Sequence, residues 1–421
     1  MLSKGRTGAI MLALPLIAFI LVTFVAPLGS MFMRSLYDPL VADIMPETVA
    51  ALEEWDGTGL PPEQVYALAA RELDRAREEK TIGKLATRLN RDTSGLRSVI
   101  MRTGRGLKRA GVPPDKWGQS KNSDEFLTLT PGLHQNFYSD PLNFLADINP
   151  AWKEPAIWQA LARTGARVTP VYYLNAVDLT FGSGGEITRQ PEDRRIYTAL
   201  FIKTIRVSLT ITLLCLAIGY PVAYLIAHSP PRLGRLLLVL VLVPFWTSLL
   251  VRTTSWIVLL QQQGVVNDLL VWLGLIPDEQ RLTMIHNMTG TLVAMTHVLL
   301  PFMILPLFSV MRGIPAVQMQ AAMSLGASWP RAFCRVYLPQ SLPGVGAGCL
   351  LVFILAIGYY ITPALVGGQS GQLISNFIAY HIQTSLNWGL AAALGCVLFV
   401  AVLLLFLLYD RVLGLDRMKL G

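Results

Sequence analysis

Hydrophobic residues in this chain come in long unbroken runs, without the spacing of an amphipathic helix or the alternation of a half-buried strand. A hydrocarbon layer about 30 Å thick is crossed by about 20 apolar residues of helix, so each run can be tested by length alone. Six runs pass: residues 7–32, 197–228, 233–260, 287–310, 342–366 and 390–409. The second carries Lys203 and Arg206 near its start, where long side chains can reach the headgroups. The first follows a basic start, Met1 to Arg6, as a secretory signal would. Its apolar stretch of about 25 residues exceeds the roughly 7–15 of a signal peptide, so it is read as an uncleaved span.

The polar positions are as lopsided as the apolar ones. Residues 36–198 hold 20 basic and 22 acidic side chains, whereas the 74 residues from 336 to 409 contain no Asp, Glu, Lys or Arg. This pattern predicts three parts: a first transmembrane helix (1–35), a water-soluble insert (36–196) and a five-helix membrane core (197–421). The insert should be mainly short helices around its own core. Pro61-Pro62 precedes Val65, Leu68, Ala69, Leu73, Leu85 and Leu89 at helical spacing, and Trp55, Trp117, Trp152 and Trp158 can anchor it. Leu96, Val99 and Ile100, interleaved with Arg97, Arg102, Arg105, Lys108 and Arg109, form a basic amphipathic stretch. Either a solvated helix face or a surface for membrane or partner fits it. Gly182, Ser183, Gly184 and Gly185 read as a turn.

Composition agrees: 53% of residues are hydrophobic and 15% charged, against about 25% charged in soluble domains. The net charge of +8 would by itself fit nucleic acid, an anionic membrane or acidic substrates. Its location decides. With the N-terminus inside, the inner segments carry Lys4, Arg6, Arg232, Arg235, Arg312, Arg331, Arg335, Arg411, Arg417 and Lys419 against Asp410 and Asp416. The short outer loops carry Arg281 against Asp268, Asp278 and Glu279. Short-loop cations mark the cytoplasmic side, so both termini are expected there, with the insert outside; long domains are exempt from that rule. The charge is therefore a topology signal and not a nucleic-acid footprint. Cys215, Cys349 and Cys396 lie in apolar runs and Cys334 in a basic loop, which offers no disulfide framework. The sequence has no GxxxxGK[ST] phosphate loop and no HExxH. His134, His228, His286, His297 and His381 are scattered and read as structural. The expectation is a non-catalytic chain that binds no cofactor or metal of its own.

The inner loop at 313–339 stands out. Helix formers over 316–325 stop at Gly326, a residue suited to the left-handed conformation past a helix end. Ser328 can cap a following helix with Pro330 in its first turn, and Pro339 and Pro343 should then reset the chain. Within this loop Gln320, Ala321-Ala322, Gly326-Ala327, Phe333 and Leu338-Pro339 resemble the EAA loop of type I ATP-binding-cassette (ABC) importer permeases. Segments 242–256, 299–306 and 357–368, with Gly219 to Tyr224, look like the permease subunit of spermidine/putrescine importers. The resemblance covers about residues 1–35 and 197–421. It implies an all-α, six-helix type I permease fold whose loop seats in a cleft of a cytoplasmic ATPase. It also implies a second permease, two ABC ATPase subunits that bind ATP and Mg, an extracytoplasmic binding protein, and a bacterial inner membrane. Two departures matter. Gln320 stands where the family motif opens on glutamate, so any role of that charge in docking is lost or passes to neighbours such as Arg312, Arg331 and Arg335, and the insert is far longer than the usual first outer loop.

For a substrate pathway the residues singled out are Trp246, Thr247, Arg252, Tyr359, Tyr360 and Thr362, which sit near Pro or Gly in the third and fifth runs. Aromatic faces hold ammonium groups, and proline frees carbonyls that can line a cavity. Aromatics in spans also serve as packing or interfacial belts, and Arg252 is either functional or placed at the outer interface. Spans two to five contain no Asp or Glu. A polyamine path would then be carbonyl- and aromatic-lined or rely on acids from the partner permease, or else the cargo is another small solute such as an amino-acid derivative or small ion. An ion-gradient-driven secondary transporter would call for internal repeats and intramembrane ionisable residues, and a membrane sensor for a cytoplasmic effector domain; neither pattern is evident.

Overall fold

The computed structural model describes residues 13–110, 141–182 and 186–413. Lys4, Arg6, Trp117, His134, Ser183, Gly184, Gly185, Asp416, Arg417 and Lys419 lie outside the described residues. The chain forms two compact units, Met1–Glu192 and Asp193–Gly421.

In the first unit the apolar helix Ala13–Leu36 is long enough to span a membrane. Pro27 opens its second half, and the five residues Leu21–Val25 ahead of it wind as a π-helical turn. Such a turn absorbs the lost N–H and the ring clash of the proline without breaking the helix. The helix end is tied to the insert by Ser35 Oγ and Tyr173 Oη at 2.7 Å and by a backbone bridge from Tyr37 to Val168.

The insert is built of short helices, as its pattern predicts, with one added hairpin. Leu179–Phe181 pairs antiparallel with Ile187–Arg189, and the Gly182 N–H bonds the Glu186 carbonyl at 2.7 Å. Val65, Ala69 and Leu73 are buried on Glu63–Glu78, and Leu85 and Leu89 on Ile82–Asp92, a second helix that begins after Lys80 takes a left-handed φ of 59°. Trp152 and Trp158 are fully buried, their rings 5.0 Å apart. Each indole N–H is satisfied, by Thr103 Oγ1 at 2.9 Å and by the Trp152 carbonyl at 3.0 Å. The helix Leu96–Ala110 turns Leu96, Val99, Ile100 and Leu107 into this core and leaves its five cations exposed. Two buried charges brace the insert. Glu72 accepts the N–H groups of Glu47 and Thr48 (2.8 and 2.9 Å) at the start of Pro46–Glu53, and burial raises its pKa against those bonds. Arg88, 3% exposed, pairs with Asp38 and with Asp92 at 2.9 Å; burial opposes its charge but the two carboxylates hold it firmly protonated.

The second unit packs three long helices, Tyr197–His228, Met288–Arg312 and Leu338–Gly358, around Ile211, Cys215, Met303, Leu307 and Val352. Small residues set the spacing. A Cβ on Gly348 would lie 2.7 Å from Met303 Sδ, and one on Gly344 would lie 3.2 Å from the Leu307 Cα. With lipid outside, such close backbone approach is what holds membrane helices together. Trp388–Leu413 completes the set.

Among the described residues five helices are long and apolar enough to cross a membrane, and a bent pair makes six if it counts as one span. The run expected over 233–260 is not one helix: Pro231–Trp246 and Leu249–Trp272 meet at 98°, with Thr247 and Ser248 extended. The helix of the fifth run also ends earlier than expected, at Gly358, and a separate turn, Ile361–Val366, follows Tyr359 and Tyr360. At the other end, Pro339 and Pro343 do not reset the chain. A π-helical turn, Phe333–Tyr337, absorbs Pro339, which then sits in the first turn of Leu338–Gly358, and helix runs on from Trp329.

Candidate functional sites: an exposed loop helix and two broken spans

Residues Ala316–Ser324 form the expected short helix. Gln320 and Ala321 are exposed on it and Ala322 is half-buried. Its end is a Schellman closure: the Ala327 N–H bonds the Ala322 carbonyl at 3.1 Å and the Gly326 N–H bonds that of Met323 at 2.9 Å. Gly326 has φ +90°, and a Cβ there would meet nothing within 4 Å. Conformation, not space, calls for glycine. Ser328 occupies the cap position of Trp329–Ala332, but its side chain makes no capping bond. The loop offers apolar side chains to water: Val317 is 69% exposed, Leu325 89% and Trp329 52%. Arg312, Arg331 and Arg335 are exposed around it.

Behind the loop lies a stack that sequence reasoning missed. Trp329, Phe333 and Tyr337 stack in order at 5.3 and 5.6 Å, each pair at 17°. Tyr224 meets both Phe333 and Tyr337 edge-on at 5.9 and 5.2 Å, and stacks on His228 at 4.1 Å. Tyr220 Oη joins Ser341 Oγ at 2.8 Å. The signal was present: aromatic residues recur every fourth position in both 220–228 and 329–337, one face of each helix. Leu338 is half-buried and Pro339 exposed at the foot of this stack.

The six pathway candidates fall on the two breaks. Trp246, 76% exposed, and Thr247 lie at the first. Arg252 reaches back over the bend, donating to the Pro244 and Thr247 carbonyls, the latter at 3.1 Å, and to Thr247 Oγ1 at 3.4 Å. At the second break the Tyr359 carbonyl accepts from Ser375 Oγ at 2.6 Å and that of Tyr360 from Asn376 Nδ2 at 2.8 Å. The breaks are joined where Thr253 Oγ1 and Thr362 Oγ1 lie 3.3 Å apart, both buried. Trp256 Nε1 donates to His297 Nδ1 at 3.1 Å in the same region, a pairing hidden by the 41-residue separation. No group of three or more metal-ligating side chains occurs among the described residues.

Residues 219–413 match the family of binding-protein-dependent transport system inner membrane components. The spermidine/putrescine transport system permease protein PotB of Salmonella typhimurium is 34% identical over 226 residues, covering 54% of this chain and 78% of that protein. The molybdenum transport system permease protein ModB of Mycobacterium bovis is 27% identical over 211 residues, 50% of this chain and 77% of the relative. Among solved structures, a bacterial ABC transporter that imports the acidic polysaccharide alginate aligns at 19% identity with a TM-score of 0.43, over 52% of this chain and 80% of that one.

Proposed function

The chain belongs to the family of binding-protein-dependent transport inner membrane components, as a permease subunit of an ABC importer, and from that premise we propose that its cargo is a polyamine of the spermidine or putrescine kind. The observation that carries the cargo reading is the 34% identity to a spermidine/putrescine permease over 78% of that protein. The chemistry of the breaks supports it. A polycation crossing spans without carboxylates needs carbonyl oxygens and aromatic faces, and both breaks offer them.

The chain pairs with a second permease and two ATPase subunits, which bind ATP and Mg, and receives cargo from a soluble binding protein outside. It is itself non-catalytic. Gln320, Ala321 and Ala322 lie on the docking helix, Gly326 and Ala327 close its end, and Phe333, Leu338 and Pro339 carry its movement into the spans. The exposed apolar side chains of the loop support a role in docking, since water alone gives no reason to leave Leu325 89% exposed. ATP binding draws the ATPases together and moves this helix, and the aromatic stack carries that displacement to the second and fifth spans. Trp246, Thr247, Arg252, Tyr359, Tyr360 and Thr362 line the path. Both termini are cytoplasmic and the insert is outside.

A small ion as cargo is the second reading, favoured by the molybdenum permease at 27% identity. Uptake of labelled putrescine and spermidine by cells expressing the whole importer decides. ATP-dependent uptake that excess unlabelled polyamine abolishes is expected; none, with uptake of an inorganic ion instead, would reverse the choice.

A further inference from the structure

Arg252 is the one charged residue between Arg235 and Asp268 in the sequence, and it lies in a stretch otherwise suited to lipid. Intramembrane charges are costly and normally paired with an acid. Arg252 has no ion pair among the described residues; its guanidinium is held by the Pro244 carbonyl, the Thr247 carbonyl and the Thr247 hydroxyl. Those oxygens stand at the C-terminal end of Pro231–Trp246, the negative end of that helix, at a 98° bend. Irregular backbone at membrane depth persists only inside protein or beside a water-filled cavity, and Trp246, Thr247 and Ser248 at the bend are exposed on this chain.

We propose that the Pro244 and Thr247 oxygens, with the Trp246 ring beside them, form a site for an alkylammonium group, and that Arg252 is a tethered cation which occupies it until cargo displaces it. The inference deepens the polyamine reading and rests on it for the identity of the natural ligand. The physical reason is charge balance. An ammonium binding beside Arg252 would put two positive charges on one set of neutral oxygens, whereas exchange leaves one cation on them at a time. These neutral oxygens hold the guanidinium without the ion pair that a bidentate carboxylate would add. The pathway thus needs no acid of its own, in keeping with spans two to five, which have none. Trp246, at 76% exposure, offers a free ring face to the arriving ammonium.

The test is calorimetric titration of n-butylammonium into the assembled importer in nanodiscs, without binding protein. Arg252→Ala leaves the Pro244 carbonyl with only its Thr247 N–H and Oγ1–H donors and should bind the probe at least about ten-fold more tightly than wild type. Arg252→Lys, which keeps a tethered cation, should bind it as weakly as wild type. Arg252→Gln guards against a collapsed bend, because it keeps a polar side chain at the bend without the charge; it should also bind the probe more tightly than wild type. Equal affinity in wild type, Arg252→Ala and Arg252→Gln would overturn the proposal and leave Arg252 a structural staple. Polyamine uptake by wild-type cells is scored separately. Failure there, with probe binding gained in the neutral variants, rejects the natural cargo and keeps the ammonium site.

Discussion

Gly326 is asked to do one thing, hold φ at +90°, and an added side chain would touch no neighbour. A substitution there costs conformational strain alone, about 1–2 kcal/mol for a β-carbon in the left-handed region and more for a β-branched residue. Asparagine tolerates that region better than other side chains. Gly326→Asn should therefore retain uptake, while Gly326→Val should reorient the docking helix and uncouple transport, with the complex present in the membrane at normal amounts. The measurement is uptake together with ATPase stimulation by loaded binding protein; wild-type uptake by Gly326→Val would remove Gly326 from the coupling device. This residue was legible in the sequence because its requirement is local. Arg252 was only half legible. Its cost in an apolar run marked it, but its oxygen partners exist only because the chain bends by 98° five residues earlier.

Between elements, an aromatic stack links the loop to the second span and is the coupling path proposed above. Two tyrosines, Tyr220 on the second span and Tyr337 in the π-helical turn ahead of the fifth, differ in a checkable way. Tyr220 bonds Ser341 at 2.8 Å, whereas the buried Tyr337 hydroxyl has no hydrogen-bond partner among the described residues. Removing a satisfied bond costs about 1 kcal/mol, and removing an unsatisfied buried hydroxyl returns a comparable amount. Tyr220→Phe should lower the thermal midpoint of the purified importer and Tyr337→Phe should leave it unchanged or raise it; the reverse order would contradict the packing described. The same scale explains why spans were easier to foresee than breaks. Pro221, Pro301, Pro306 and Pro343 all lie inside continuous helices, as Pro244 does. Proline alone therefore does not mark the bend. What fixes it is Arg252 on the Pro244 and Thr247 carbonyls and Thr253 against Thr362, contacts that join residues up to 109 positions apart.

For the whole molecule, the charge pattern makes a claim about sides. The loop cations and the long insert lie on opposite faces of the membrane if the topology is right. Cys334 is a native reporter, exposed in the loop helix region and flanked by Arg331 and Arg335, while Cys215 and Cys396 are buried and Cys349 is partly so. A membrane-impermeant maleimide should leave Cys334 unmodified in intact spheroplasts and label it once the membrane is opened. For the other face, Lys84 is exposed on the insert helix Ile82–Asp92, and Lys84→Cys in a Cys334→Ser background places a single exposed thiol there. That thiol should react in intact spheroplasts. Labelling of Cys334 from outside, or protection of the Lys84→Cys thiol until permeabilisation, would invert the topology. The loop could not then reach a cytoplasmic ATPase, and the coupling role proposed for Gln320 to Ala327 would fall with it.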